Sequence, residues 1–531
     1  MKISHSIILV LCYVFIWSCA RKGRPSGGPK DESAPIMVIA KPPYKTINFK
    51  ENTIKLYFDE YIVLKDLSKQ LIISPPLKNP PIISPQGIPS KYITIKILDT
   101  LKENTTYTFN FGNAIADNNE GNRLENFNYI FSTGKYIDSL SLQGTVADAL
   151  DQTLKKNISL LLYRLDSTYT DSLIYKEKPS YVTNTLDSLN FKFTNLKEGR
   201  YRLLALDETT SDYMFNPKTD KLGFSNDTIT LPKDSIIENE LVVFKESLPY
   251  SFKRAKELFK GKLQFSYEGE PSNMTVELLS RTPKDFKSFE KFEQDKDTLS
   301  YWFTPFESDS LKFRVTSAAF VDSVTVKLRK KKIDSLTTAL SITNTLPLKD
   351  TVFLTTNNPI VAIDKTQFTL LDKDTAKVAI NLERINAHKL ALLFTKAKNA
   401  KYALSILPNA ITDIYSVSND SLSYAFSTKT PEDYGSITIN IKKNINSPVI
   451  LQVLQNNKLV KSIYLTRSEK VEFDLLEPSE YTIRAVIDRN ENGKWDTGSF
   501  LKNRQPETII YYPEKIELRA NWTFNEEFVI K

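Results

Sequence analysis

The stretch that decides the fold is a set of three blocks: Tyr107-Thr-Phe-Asn-Phe111, Ala114-Ile-Ala-Asp117 and Phe131-Ser-Thr133. The same three blocks return later in the chain as Tyr402-Ala-Leu-Ser-Ile406, Ala410-Ile-Thr-Asp413 and Phe426-Ser-Thr428. The first and last blocks share an offset of 295 residues. Self-similarity at a fixed offset indicates a duplicated domain.

A second motif repeats independently of the first. Its two copies are Phe191-Lys-Phe-Thr-Asn-Leu196, Tyr201-Arg-Leu-Leu-Ala205 and Asp207, then Val471-Glu-Phe-Asp-Leu-Leu476, Tyr481-Thr-Ile-Arg-Ala485 and Asp488. The offset is 280 residues and slips by one before the final aspartate. The order of the two motifs predicts two kinds of domain, each present twice, with a further segment between the pairs.

Short runs of alternating apolar and polar residues fill the rest of the chain. Ile54, Leu56 and Phe58 alternate with polar neighbours, and turns rich in Asn, Asp and Gly, such as 117–122, separate such runs. This period of two is typical of half-buried strands. The sequence therefore predicts an all-β chain of tandem antiparallel sandwiches, arranged as a multi-domain rod. The family resemblances of the two repeated motifs imply that these sandwiches are Ig-like and transthyretin-like.

The repeats and the turn-rich stretches set the predicted boundaries. These are a lipoprotein signal peptide (1–18), a flexible tether (19–35), an Ig-like domain (36–135), a transthyretin-like sandwich (136–250), a β domain with a charged insertion (251–334), a second Ig-like domain (335–431) and a second transthyretin-like sandwich (432–531). The insertion, 284–292, is strongly charged, and a helix is one alternative for it.

The N-terminus has the features of an export signal. Lys2 precedes an apolar run from Ile7 to Trp17, too short to span a bilayer, and Ser18 stands directly before Cys19. This pattern resembles a bacterial lipoprotein signal, which implies that Cys19 carries the lipid. An ordinary secretory signal is the alternative. The Gly-, Pro- and charge-rich residues that follow predict a tether close to a membrane surface.

Residue counts exclude most catalytic chemistry. The chain has two cysteines, Cys12 and Cys19, and two histidines, His5 and His388, so an exported form keeps His388 alone. A His/Cys zinc site needs three or four such ligands, and a Ser-His-Asp triad would depend on His388, which we expect at a turn or strand edge. The 15 glycines form no phosphate-binding loop or nucleophile elbow. A two-carboxylate glycosidase stays open by counting.

The charges do not indicate a nucleic-acid partner. Lys and Arg number 71 against 63 Asp and Glu, and the two signs are interspersed. The densest basic run, Arg329-Lys-Lys-Lys332, is interpreted as a solvated link, because no basic stripe with interleaved aromatics accompanies it.

One loop has the spacing of a cation ligand set. In Asp488-Arg-Asn-Glu-Asn-Gly-Lys-Trp-Asp496, oxygen side chains stand at positions 1, 3, 5 and 9, with glycine at position 6. Asp488, Asn490, Asn492 and Asp496 thus match the front of an EF-hand-type calcium loop, but position 12 is Ser499 in place of a bidentate glutamate. Calcium is therefore a weak hypothesis, and a turn that caps its own amides is the alternative.

Several of these motifs resemble known families. Ile54 to Glu60, Tyr107 to Phe109 and Ile115 to Thr133 resemble the bacterial Ig-like domain of surface-layer proteins, and the Phe191–Tyr201 pattern is similar to transthyretin-like and carboxypeptidase-regulatory sandwiches. The whole chain looks like a Bacteroidota lipoprotein family that carries such modules. This resemblance implies location and architecture and no reaction.

The leading hypothesis is a non-catalytic, lipid-anchored envelope protein, a structural or adhesive scaffold with an unknown protein or glycan ligand and a membrane partner through Cys19. The rival is a glycan-binding subunit or carbohydrate-active enzyme, whose sign would be a groove with two facing carboxylates and an aromatic platform. Trp302, Trp495 and Trp522 are expected in cores. Basic residues after Cys19 favour the periplasmic face of the outer membrane over the cell surface.

Overall fold

The computed structural model describes residues 30–152, 157–185, 188–238, 240–271, 273–293, 296–318 and 320–531. Contacts divide the chain into two compact units. The first comprises residues up to 147, with 154–215 and 223–241; the second comprises 148–153, 216–222 and 242–531. Strands dominate both units, so the predicted all-β class of antiparallel sheets is confirmed.

The helical part of the described residues is small. It consists of one four-residue helix, α1 (Leu67–Gln70), and three 3-10 turns, Asp171–Tyr175, Lys365–Gln367 and Pro431–Asp433. No helix in the described ranges is long and apolar enough to cross a membrane.

The strands of the first 135 residues form two facing sheets. The strands are β1 (Met37–Lys41), β2 (Thr53–Leu64), β3 (Ile72–Ser74), β4 (Ile82–Ser84), β5 (Ser90–Lys96), β6 (Thr106–Asn110), β7 (Ile115–Asp117) and β8 (Asn128–Ser132). One sheet has the order β1-β2-β5-β4, with β7 on β2, and the other has the order β3-β6-β8. Their inward rows, which include Ile54, Ile93 and Phe131, form one apolar core.

The next strands lie in the segment for which the sequence predicts a transthyretin-like sandwich. They are β9 (Leu140–Asp148), β10 (Ser159–Arg164), β11 (Tyr181–Asn184), β12 (Asn190–Leu196), β13 (Gly199–Asp207), β14 (Lys221–Phe224), β15 (Ile229–Leu231) and β16 (Leu241–Val243). Strand β10 lies between β11 and β13, and β9 pairs with β12.

The next seven strands lie between residues 251 and 327, in the second unit. They are β17 (Ser251–Phe259), β18 (Lys262–Glu268), β19 (Thr275–Leu278), β20 (Ser288–Phe292), β21 (Thr298–Phe303), β22 (Ser310–Ser317) and β23 (Phe320–Lys327). The helical alternative for the charged insertion is wrong, since its second half is β20, which pairs antiparallel with β21 from Ser288 to Phe292. Phe289 and Phe292 are three positions apart, so they point to opposite sides of β20; their spacing fits a helix, and pairing with β21 overrides it.

The second Ig-like segment repeats the sheet orders of the first. Its strands are β24 (Thr338–Leu340), β25 (Val352–Thr356), β26 (Ile360–Ile363), β27 (Phe368–Asp372), β28 (Lys377–Val378), β29 (Asn381–Asn386), β30 (Lys389–Leu393), β31 (Lys401–Ile406), β32 (Ile411–Asp413) and β33 (Leu422–Ser427). The order β24-β25-β30-β29 matches β1-β2-β5-β4, and β27-β31-β33 matches β3-β6-β8.

The last eight strands contain one departure from the antiparallel expectation. They are β34 (Gly435–Lys443), β35 (Val449–Gln455), β36 (Lys458–Leu465), β37 (Lys470–Leu476), β38 (Ser479–Ile487), β39 (Ile509–Tyr511), β40 (Ile516–Leu518) and β41 (Thr523–Ile530). Strand β41 pairs with β34 in parallel, from Ser436–Thr523 to Lys443–Ile530. The long connection that parallel strands require is available here, because β37 pairs on the other edge of β34 and the remaining intervening strands build the facing sheet.

The repeated polar residues of the Ig-like motif serve the fold. The hydroxyl of Tyr107 accepts the N–H of Lys102 at 2.9 Å, and that of Tyr402 accepts the N–H of Ala397 at 2.8 Å. Thr133 and Thr428 close the same loops, each accepting one N–H at 3.0 Å and donating to a carbonyl. Identical bonds 295 residues apart explain why these residue types recur.

The repeated aspartates and the second tyrosine pair also act inside the fold. Asp117 is buried and accepts three backbone N–H groups of its own turn at 2.7–2.9 Å. Burial raises its pKa, but these N–H groups outweigh burial and hold the pKa below the usual range. Asp413 accepts the N–H of Tyr415 at 2.9 Å. In the other motif, Tyr201 and Tyr481 donate to carbonyls four residues upstream, at 2.8 and 2.7 Å.

Replacement of Tyr107 by Phe tests this structural role. We expect amide exchange at Lys102 to accelerate roughly fivefold, because a lost hydrogen bond of this kind costs about 1 kcal/mol. Tyr402→Phe should do the same at Ala397. Hydrogen–deuterium exchange is the measurement, since a multi-domain chain need not unfold in one transition. Tyr136→Phe, at a 62% exposed tyrosine, is the control and should change neither site. Unchanged exchange at Lys102 would remove the assigned role.

Candidate cation-binding loop and buried histidine

The predicted calcium loop lies between β38 and β39. Its first residue, Asp488, directly follows the last strand residue, Ile487, and is fully buried. Asn490 and Asn492 are exposed and Asp496 is half-buried. The strand end therefore fixes the first oxygen ligand, and the others project from the loop that follows it.

The structure brings all four predicted residues together. The side-chain amide of Asn490 donates to Asp496 Oδ2 at 2.6 Å, and the amide of Asn492 donates to the same oxygen. Asp488 Oδ1 accepts the N–H of Asn492 at 3.2 Å, and its Oδ2 accepts the N–H of Gly493 at 2.7 Å. Gly493 has φ +77° with open space around it, so its backbone conformation, and not crowding, requires glycine.

Glu507 completes the loop and was missed by the sequence analysis. Its side chain is 7% exposed; one carboxylate oxygen accepts the N–H of Arg489 at 2.7 Å and the other accepts the N–H of Asp496 at 3.1 Å. Its backbone carbonyl accepts Trp495 Nε1 at 2.9 Å. No sequence signal marked it, because it lies outside the twelve-residue window in which an EF-hand-type glutamate is sought.

The loop is a hydrogen-bonded turn, and the side-chain oxygens of Asn490 and Asn492 could face a cation only after their amide groups rotate. Oδ1 of Asn490 and of Asn492 accepts backbone N–H groups at 3.2 and 2.9 Å, while their NH₂ groups point at Asp496. Cation binding would require both amides to rotate. Within the described ranges, no group of three or more His, Cys, Asp and Glu has the geometry of a metal site.

His388 lies in the turn between β29 and β30, as its sequence context predicted, but it is buried. Its ring packs on Trp302 with centroids 4.5 Å apart, and its Nδ1 lies 3.2 Å from the Thr356 carbonyl. Neither His388 Nε2 nor Trp302 Nε1 has a hydrogen-bond partner among the described residues. These contacts are those of a packed side chain, and a serine and an acid are not among them.

The electrostatics of this contact keep the histidine neutral. Burial is the largest cause that lowers the pKa of His388, to about 4; Lys291 and Lys262 act in the same direction, and the Thr356 carbonyl and Glu293 oppose it. The Lys262 ammonium also lies 4.9 Å from the Trp302 ring centroid. A neutral imidazole therefore fills the space between β21 and β30.

A carbohydrate-active site is expected to have two facing carboxylates and an aromatic platform in one groove, and the groove beside β20 has only part of this set. This groove has a volume of about 480 Å³ and is lined by Tyr301, Phe286 and Phe289, but its lining includes one carboxylate, Glu290.

The three predicted core tryptophans differ in burial. Trp302 lies in the core and Trp495 is half-buried, but the prediction is wrong for Trp522, which is 54% exposed beside Arg519. Cys19 lies outside the described residues.

Residues 31–133 match the family model of the bacterial Ig-like domain, about a fifth of the chain. Similar solved structures include domains 5–6 of the S-layer protein SbsC (10% identity, 34% of this chain and 99% of that chain, TM-score 0.18), the I9–I11 tandem of titin (10%, 53% and 100%, 0.12) and the major pilin subunit BcpA of Bacillus cereus (9%, 74% and 99%, 0.12). At such scores these likenesses carry no functional information. No curated protein matches the chain.

Acid should destabilise the packing around His388. Its pKa is near 6.5 in the unfolded chain and about 4 in the fold, so between these values the unfolded state binds the extra proton. Stability is therefore intact above pH 6.5 and falls by up to about 3 kcal/mol as the pH drops through this window. The Thr356 amide donates to the His388 carbonyl at 2.9 Å, and its protection against hydrogen exchange at pH 7 and pH 4.5, each relative to the intrinsic rate at that pH, measures the fall.

His388→Gln is the comparison that isolates this proton. Other groups also titrate in the window, notably Glu208, whose pKa burial raises to about 7, so the relevant quantity is the difference between the two proteins. The stability of the His388→Gln variant should depend less steeply on pH than that of the wild-type chain. Equal slopes in both proteins would show that His388 does not titrate as its burial requires.

Proposed function

We propose that the chain is a non-catalytic, lipid-anchored protein of the bacterial outer membrane, in which tandem Ig-like domains form a structural or adhesive scaffold. The observation that carries this proposal is the use made of the repeated polar residues. Tyr107, Tyr402, Asp117 and Asp413 bond to backbone groups, and the buried His388 packs on a tryptophan. The residues that recur after duplication thus form structural hydrogen bonds, and this supports a scaffold over a catalytic site.

The finer parts of the proposal come from the sequence. They are the attachment of lipid to Cys19, membership of a Bacteroidota lipoprotein family, the five β domains with the boundaries given above, and the periplasmic face of the outer membrane. The matched bacterial Ig-like segment begins at residue 31, inside the proposed tether of residues 19–35, and this supports a short linker between Cys19 and the first domain. The ligand of the scaffold would be a protein or a glycan.

Glycan binding is the second candidate, and Trp522 is the observation that favours it. The indole is 54% exposed, and the Arg519 guanidinium lies 5.8 Å from its ring centroid. An exposed indole beside a hydrogen-bond donor suits a sugar ring. A glycan array probed with the chain and with Trp522→Ala would separate this role from plain scaffolding, since binding lost in the variant would support it.

Lipid attachment predicts that cells grown with an alkyne fatty acid label the chain, and that Cys19→Ser abolishes the label. Cys12→Ser is the matched control, because Cys12 lies inside the apolar run of the signal and should not affect labelling. A label that persists in Cys19→Ser would contradict the anchor.

Protease shaving of the same cells tests the membrane face. We expect the chain to be shielded in intact cells and cleaved after the outer membrane is opened. Peptides released from intact cells would place the chain on the cell surface and favour an adhesive scaffold.

We also propose that the loop of Asp488, Asn490, Asn492 and Asp496 binds calcium weakly, with Glu507 supporting it from below. Dissociation constants of roughly 10⁻⁴–10⁻³ M are typical of extracellular modules with incomplete ligand sets. Isothermal titration should detect calcium binding to the wild-type chain and a loss of at least about tenfold in affinity for Asp496→Asn. The matched control is Asp420→Asn, an exposed aspartate elsewhere in the same unit. Equal heats in wild type and Asp496→Asn would assign the loop as a turn only.

A further inference from the structure

The solvent-facing side of the first sheet has an unusual composition. Ten positions share this side, and we call them the outer face: Ile39, Lys41, Thr53, Lys55, Tyr57, Ile82, Ser84, Tyr92, Thr94 and Lys96. They form three cross-strand rows, Ile39–Tyr57–Tyr92, Lys41–Lys55–Thr94–Ser84 and Thr53–Lys96–Ile82. Among these ten described positions there are three lysines, and the same side of β2 continues beyond Tyr57 through one exposed acid, Asp59, to Tyr61.

Strand alternation holds the outer face open to solvent. Ile54, Leu56, Ile93 and Ile95 are fully buried on the opposite side, so their neighbours along β2 and β5 must point outward. As a result, large apolar groups are exposed: Ile39 by 53%, Ile82 by 54% and Tyr92 by 44%. The outward side of an antiparallel sheet is ordinarily polar.

The lysines and tyrosines of the outer face are arranged as one surface. The Tyr57 and Tyr92 rings lie 5.8 Å apart; the Lys41 ammonium is 5.9 Å from the Tyr57 ring and the Lys55 ammonium 6.0 Å from the Tyr92 ring. The lysine stems therefore lie along the rings while the ammonium groups stay accessible. Lys91 repeats this contact over Tyr61, at 5.4 Å, where β2 continues.

The corresponding side of the second Ig-like segment repeats one element of this arrangement, since the Lys389 ammonium lies 3.7 Å from the Phe353 ring centroid, but it also includes an acid. There Glu383 lies opposite Ala391, which in turn lies opposite Phe353, and Ala391 is only 2% exposed. Glu383 lies on β29, the counterpart of β4, whose outer-face positions Ile82 and Ser84 are uncharged. The larger surface, with three lysines and the tyrosine pair, belongs to the copy that is nearer to Cys19 in the sequence.

The chemistry of the outer face fits an anionic bilayer surface. Tyrosine rings and aliphatic groups favour the headgroup region, and each lysine near an anionic surface contributes roughly a fivefold gain in partitioning. Seventeen residues, 20–36, separate Cys19 from β1. The Asp31 carbonyl already accepts the Asn122 side-chain amide at 2.9 Å. A coil of the eleven residues 20–30 would span roughly 17–20 Å on average, so a lipid on Cys19 would bring the outer face within reach of the headgroups.

We infer that the outer face of the first sheet docks on an anionic lipid bilayer and lays the first Ig-like segment on the membrane. The inference rests on the proposed lipid anchor for its setting, because the anchor supplies proximity. The contact itself depends on Lys41, Lys55, Lys96 and the tyrosine pair. It can therefore be measured in a chain that carries no lipid.

The experiment uses the unlipidated chain from Ala20 to Lys531, which keeps every described residue. Flotation with vesicles of phosphatidylcholine containing roughly one third phosphatidylglycerol should recover the chain at low salt, and pure phosphatidylcholine vesicles should not. The triple variant Lys41→Glu, Lys55→Glu, Lys96→Glu should lower partitioning by roughly a hundredfold. Tyr57→Ser with Tyr92→Ser should lower it with no change in net charge.

The matched control is Lys365→Glu, Lys373→Glu, Lys377→Glu, which makes the same change of net charge at exposed lysines of the second Ig-like segment. It should bind nearly as wild type does. Equal losses in both triple variants, or no flotation of the wild-type chain, would overturn the inference. Binding to the acidic polysaccharide alginate without binding to vesicles would overturn it as well and assign a polysaccharide to the outer face.

These outcomes are separable from those of the proposed function. Flotation of the unlipidated chain tests the outer face alone, and fatty-acid labelling of Cys19 tests the anchor alone. Circular dichroism of each variant verifies that the sheets persist, so loss of binding cannot be confused with loss of fold.

Discussion

Burial of one side of each sheet against a facing sheet is the constraint on which this structure depends. Neither cysteine lies in the described residues, so no disulfide can support these cores, and apolar packing has to do so. In the first Ig-like segment, Ile54, Ile93 and Phe131 meet in one cluster, where the Phe131 ring stacks on Phe49 with centroids 3.9 Å apart. Only the outward-facing residues of the strands and the loops between them are therefore accessible to a partner.

The same constraint explains the repeated polar residues. A loop that enters a buried strand leaves backbone groups that need partners, and a tyrosine at the start of the strand supplies one while its ring joins the core. Tyr107 and Tyr402 do this through one geometry, and Tyr201 and Tyr481 through another. Residues that recur in a duplicated chain are often taken as candidates for a catalytic or binding site. Here they form the hydrogen bonds that hold the loops of each sandwich in place.

Features that occur once are therefore better candidates for function than features that occur twice. The turn at Asp488 and the exposed Trp522 each lack a counterpart in the other copy of their motif, and the outer face of the first sheet has only a partial one, the contact of Lys389 with Phe353. Asp207 matches Asp488 in the repeat, yet the residues after it have lost the glycine that Asp488 uses at Gly493. Divergence after duplication has acted on surfaces and loops, since the cores leave little room for change.

The sequence by itself determined the all-β class, the duplicated motifs and the four residues that meet in the Asp488 loop, because periodicity, repetition and local spacing are properties of neighbouring residues. Only the tertiary structure decided the parallel pairing of β41 with β34, the burial of His388 against Trp302, the place of Glu507 under the loop and the strand at Ser288. Each of these depends on which distant segment packs alongside, and a local pattern contains no such information. The outer face belongs to the second group as well, since its rows come from three separate strand pairings that join residues up to about fifty positions apart.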